Sequence, residues 1–108
     1  MNNVIDLAAV RAARRASACT FTIFGDLRRP LPSDIVSVGV LGDFETAADM
    51  FQHIAEARRA SGNEIKALPA ELAEEPDGRY WAEGYVTYAS ALALRDLCKT
   101  LGFAIQAA

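Results

Sequence analysis

Apolar positions along this chain switch between a period of two and a period near 3.6, and the switches come in the same order twice. Residues 35–41 alternate as a β-like run; beyond them Ala47, Met50, Phe51, Ile54 and Ala57 share one helical arc, with Asp49, Gln52, Glu56 and Arg59 opposite. Asp43 or Thr46 is placed to cap that helix, and Ser61-Gly62-Asn63 to stop it. The second copy opens with residues 79–88, the longest β-like run, and continues as a helix over residues 90–101 that Gly102 ends. Its buried stripe is Ala91, Leu94, Leu97, Cys98 and Leu101. Residues 64–68 and 103–106 return as short strands after each helix. The order β-α-β-β-α-β predicts an α+β domain of ferredoxin-like topology, an antiparallel sheet with two helices on one face.

Residues 19–25, rich in alternating Thr, Phe and Ile, add an edge strand, and the alanine-rich residues 4–16 predict an N-terminal helix. That helix has a narrow apolar side, because Leu7 and Val10 share it with Arg14. Residues 1–34 thus form a helix, strand and extended loop packing on a core of residues 35–108, one domain overall. Residues 69–78 are a polar excursion with one helical turn over 70–74.

At 108 residues and 52% apolar, the chain suits one globular core, and no apolar run approaches the roughly 20 residues that cross a bilayer. Arg11, Arg14 and Arg15 precede a fairly apolar run. Ser17, Thr20 and Thr22 interrupt it, and Gly25-Asp26-Leu27-Arg28-Arg29 follows in place of a small-residue cleavage site. Cys19 and Cys98 form no C-x-x-C pair, so two reduced, buried thiols are expected, which places the protein in the cytoplasm. The net charge of −3 hides an asymmetry: residues 1–34 carry five arginines against three aspartates, whereas residues 35–108 carry six basic and eleven acidic groups. Such an acidic body repels a phosphate backbone, so nucleic acid is disfavoured as a partner.

The chemistry-bearing residues are sparse. His53 is the only histidine, and Asp49 one turn earlier accepts its hydrogen bond as an ordinary surface pair without a nucleophile to activate. Ser37-x-Gly39-x-x-Gly42 is a dinucleotide fingerprint lacking its first glycine, and Asp43 at the helix start opposes an anion there. Glu71, Glu74, Glu75 and Asp77 match no calcium-loop spacing and form a solvated acidic loop. No catalytic residue, cofactor or metal is expected.

Val36-Ser37-Val38-Gly39-Val40-Leu41 resembles the first-strand signature of the RNA recognition motif, and Gly84-Tyr85-Val86-Thr87-Tyr88 resembles half of its third-strand signature. The resemblance covers roughly residues 35–107 and implies single-stranded RNA binding on an open sheet face. The departures fall on the chemistry: Ser37 replaces the stacking aromatic of the first strand, Trp81 the basic residue and Glu83 a further aromatic, leaving Tyr85.

Alternation along residues 79–88 puts Tyr80, Ala82, Gly84, Val86 and Tyr88 on one side and Trp81, Glu83, Tyr85 and Thr87 on the other. Trp and Tyr anchor protein interfaces more than other side chains do, so Trp81 and Tyr85 around Glu83 are the expected partner contacts. Leu92, outside its helix's buried stripe, and the basic Arg11, Arg14 and Arg15 are further candidates. The expectation is a non-catalytic protein-binding or regulatory module, forming a homodimer through a sheet edge or the open face. Its composition is analogous to small acidic accessory and inhibitor proteins of bacteria and phage. The competing expectations are the RNA binder and a small-ligand sensor or small enzyme closed around His53 or the Gly39–Gly42 turn.

Overall fold

A computed structural model describes residues 18–25, 28–60 and 70–107. The order of elements is β1 (Thr20–Phe24), β2 (Ile35–Gly42), α1 (Phe44–Ala60), β3 (Glu71–Glu74), β4 (Tyr80–Thr87), α2 (Tyr88–Thr100) and β5 (Ala104–Ala107). The α+β class and the two core helices are as expected. The predicted helix over residues 4–16 and the predicted strand over 64–68 lie outside the described residues.

The five strands form one sheet in the order β3-β4-β2-β1-β5. This corrects the expected antiparallel sheet with residues 19–25 at its edge: β1 is not an edge strand but lies between β2 and β5, and it pairs with β5 in parallel. The reason lies in its burial. Phe21 and Ile23 are buried on one side and Thr22, at 6% exposure, on the other, as befits an interior strand. The edge is left to the four-residue β5, short as edge strands usually are. The turn after α2 delivers it there. Gly102, at φ +89°, and Phe103 donate their amides to Lys99 and Cys98 carbonyls at 3.1 and 2.9 Å, a Schellman stop. Ala104 N–H then reaches the Cys19 carbonyl at 2.9 Å, which seats β5 beside β1.

The other correction concerns residues 70–74, where a helical turn was expected and β3 is found. Leu, Ala and Glu favour helix locally, but Glu75-Pro76-Asp77-Gly78-Arg79 is hairpin chemistry. Glu75 N–H donates to the Arg79 carbonyl at 2.7 Å, Gly78 N–H returns to the Glu75 carbonyl at 3.0 Å, and β3 pairs antiparallel with β4.

Strand register aligns Phe21, Val40 and Ala82 in one row and Ile23, Val38 and Gly84 in the next, all on the face that the helices cover. Ala47, Met50 and Ile54 of α1 and Ala91, Leu94 and Cys98 of α2 complete this core. Met50 and Ile54 are fully buried, each contributing about 1.5–3 kcal/mol of transfer free energy. Asp43 caps α1, accepting from the Thr46 amide at 3.4 Å. Thr87 caps α2, its Oγ1 accepting from the Ser90 amide at 3.2 Å, so that helix starts two residues before the expected position. Carbonyls of Asp34 and Pro32 take up the amides of Tyr88 and Ala89 at 2.7 and 3.0 Å.

Candidate functional site: the open face of the sheet

The face opposite the two helices is built from the alternate residues of every strand. One row holds Ala73, Trp81, Leu41, Thr20 and Ala104; the next holds Glu71, Glu83, Gly39, Thr22 and Gln106; a third holds Tyr85, Ser37 and Phe24. The alternation expected along β4 is therefore present, with Ala82, Gly84 and Val86 buried and Tyr85 at 36% exposure. Trp81 and Glu83 are half-buried.

Trp81 is held on three sides. Its ring lies across Gly39 of β2, where a Cβ would collide with the six-membered part of the indole. Glycine at that position is a matter of space, since Gly39 is absent from the positive-φ residues. The indole Nε1–H donates to Glu83 Oε2 at 3.0 Å, and Phe24 meets the ring edge-on, centroids 6.0 Å apart and planes at 67°. β4, β2 and β1 thus each contribute one constraint on a half-buried ring.

Glu83 stands directly opposite Glu71 of β3. Cross-strand neighbours have Cβ atoms about 4.5–5.5 Å apart, so two carboxylates confront one another on the sheet surface, an arrangement that costs stability. None of the described strand positions on this face carries Lys or Arg. Arg79, just before β4, is bound to Asp77: its Nε donates to Asp77 Oδ2 at 2.8 Å and Nη2 lies 2.7 Å from the same oxygen. The Arg79 hydrogen bond holds the Asp77 carboxyl below its ordinary pKa, and Asp77 in turn raises that of Arg79. A shallow depression of about 360 Å³, lined by Leu41, Glu75, Pro76, Asp77, Arg79 and Trp81, marks where this face meets the hairpin.

Trp81, Glu83 and Tyr85 are brought together as expected. Leu92 is half-buried on α2, in the helix layer on the far side of the sheet, and so joins no surface with them. Arg11, Arg14 and Arg15 lie outside the described residues. Phe24, Gly39 and Glu71 were not foreseen as part of this surface. Phe24 required knowing that β1 flanks β2 and Gly39 the register of β2 against β4, but Glu71 was accessible from the Pro76-Asp77-Gly78 turn, which fixes the hairpin register.

The remaining chemical groups do not converge. His53 Nε2 lies 3.8 Å from Asp49 Oδ2 on the outer side of α1, and no cluster with metal-ligand composition occurs among the described residues. Gly42 ends β2 against Cys19, and Asp43 occupies the helix start that a phosphate would need. Cys19 and Cys98 are buried and not joined in a disulfide; burial first, and the nearby Cys19 second, push the Cys98 thiol up to about 12, so it is protonated and inert at neutral pH. No helix of the described residues is long and apolar enough to cross a membrane. No family model matches this chain, and neither does any curated protein or solved structure.

Proposed function

We propose that this protein is a non-catalytic binding module that docks another protein on the open face of its sheet. The observation carrying this reading is the immobilised, outward-facing indole of Trp81 beside Glu83 and Tyr85, on a face that neither described helix covers. A rigid aromatic flanked by polar groups is the composition of an interface hot spot, because little side-chain freedom remains to be lost on binding. The core from β2 to β5 is read as a ferredoxin-like β-α-β-β-α-β unit with β1 inserted between its first and last strands. Two buried cysteines that are not joined in a disulfide support a cytoplasmic setting.

The sheet edges support self-association as a second use. β3 begins and ends in glutamate, which blunts that edge, whereas β5 offers Ala104, Ile105 and Gln106 without a charge or proline. Pairing of two β5 strands would form a homodimer and leave both open faces free.

The test is a photoreactive side chain placed at Tyr85, with exposed Ala93 on α2 as the control position, irradiated in cells that make the protein. A discrete protein adduct from position 85 and none from 93 is expected. After the partner is identified and purified, its affinity should fall by at least tenfold in Trp81→Ala, the range of a central aromatic anchor. RNA adducts with steep salt dependence would replace this reading with the single-strand binder, and the absence of any adduct at 85 would remove it. Light scattering on purified protein reads the dimer.

A further inference from the structure

Resting on the docking reading above, we infer that the occupant of the open face presents an arginine, whose guanidinium stacks on Trp81 and is shared by the carboxylates of Glu83 and Glu71. Three features converge on that side chain. The first is charge. Glu71 and Glu83 oppose each other directly on a face whose described strand positions hold no basic residue, and Arg79 is already occupied by Asp77. No basic side chain at the described strand positions of this face offsets their repulsion, and a cation set between them relieves it.

The second feature is the ring. Gly39 lies beneath the indole, Glu83 takes its N–H and Phe24 packs against the ring at 67°; the electron-rich face turned away from Gly39 is the surface a ligand would use. That face attracts cations, and a planar guanidinium stacks on it more closely than an ammonium. The third feature is donor count. Glu83 has one oxygen engaged by Trp81 and one with no donor among the described residues, while Glu71 is exposed. A guanidinium has five N–H donors in a fixed fork, enough to serve both carboxylates while its plane lies on the ring; an ammonium has three donors and no plane to stack. The excess of acidic groups over residues 35–108 steers a basic partner segment toward the same surface and repels a phosphate backbone.

Trp81 is the chain's one tryptophan, so its fluorescence reports on this site alone. The full-length protein is titrated with a neutral-background decapeptide carrying two arginines, and with its lysine and citrulline counterparts. A saturable change in Trp81 emission is expected with the arginine peptide, at least about fivefold weaker binding with lysine, and none with citrulline, because charge and plane both contribute. Glu83→Gln should weaken the arginine peptide by about tenfold. Thermal melts accompany that variant; it removes a like-charge confrontation, so a preserved melting temperature with lost binding excludes misfolding. Equal affinity for arginine and lysine peptides, indifference to Glu83→Gln, or no arginine-peptide signal up to low millimolar would overturn the inference.

The chain's own Arg11, Arg14 and Arg15 are the competing occupant. The full-length R11Q/R14Q/R15Q variant tests it: a shift in Trp81 emission without added peptide overturns the proposal in favour of self-occupancy, and an unchanged spectrum supports it. A partner crosslinked at position 85 that binds equally well to Glu83→Gln leaves the docking reading standing and sinks the arginine assignment alone.

Discussion

Replacing Gly39 by alanine separates two effects that act in opposite directions at one atom. Gly39 lies in β2 and not among the residues at positive φ, so alanine fits the backbone there and gains about 0.5–1 kcal/mol by restricting the unfolded chain. Its methyl, however, occupies the space now filled by the Trp81 ring. The indole must lift, losing its hydrogen bond to the Glu83 carboxylate, about 1–2 kcal/mol at a half-buried site, and its edge contact with Phe24, about 0.5–1 kcal/mol. The net expectation is a loss of about 1 kcal/mol, a drop of roughly 4–8 °C in the melting temperature of a domain this size. Emission of Trp81 should shift to the red and become more accessible to acrylamide. The decisive measurement is the double-mutant cycle: in a Trp81→Ala background only the backbone effect survives, so Gly39→Ala should change sign and stabilise by about 0.5–1 kcal/mol. Equal effects of Gly39→Ala in both backgrounds would refute the stacking of the indole on β2.

The confrontation of Glu71 with Glu83 predicts that Glu71→Gln raises stability by about 0.2–1 kcal/mol in denaturant titrations at low salt, with the gain shrinking as salt is added. Gly102→Ala forces a side chain into φ +89° at the stop of α2 and should cost about 1–2 kcal/mol, read by the same titration. The Cys98 thiol, raised by burial from 9.0 to about 12, favours the folded state fully below pH 9; that contribution is lost as pH climbs from 9 toward 12, because the unfolded chain ionises first. Stability measured over that interval should therefore fall, Cys98→Ala should flatten the decline, and disulfide reagents at pH 7 should label Cys98 only at the rate of unfolding.

The elements whose identity is set by their own side chains were legible before any coordinates. The arc of Ala47, Met50 and Ile54 defines α1, and the strict alternation of β4 places Trp81, Glu83 and Tyr85 on one side. What local patterning does not encode is which strands become neighbours. Alternation in Thr20–Phe24 is compatible with an edge or an interior seat, and the outcome depends on how the short β5 returns after Gly102. Residues 71–74 show a different failure, in which helix-forming residues are overridden by pairing with β4. The site followed suit: its three β4 residues were visible, whereas Phe24 hung on the seat of β1, Gly39 on the register of β2 against β4, and Glu71 on a strand misread as a helical turn.

The parallel pairing of β1 with β5 carries a consequence for biosynthesis. Phe21 and Ile23 belong to the first of the described elements to leave the ribosome, yet the strand that shields the outer flank of β1 is translated last among them. Until it emerges, the nascent chain presents an unpaired, apolar ribbon of the kind that chaperones capture, and closure must bridge nearly the whole described length of the polypeptide.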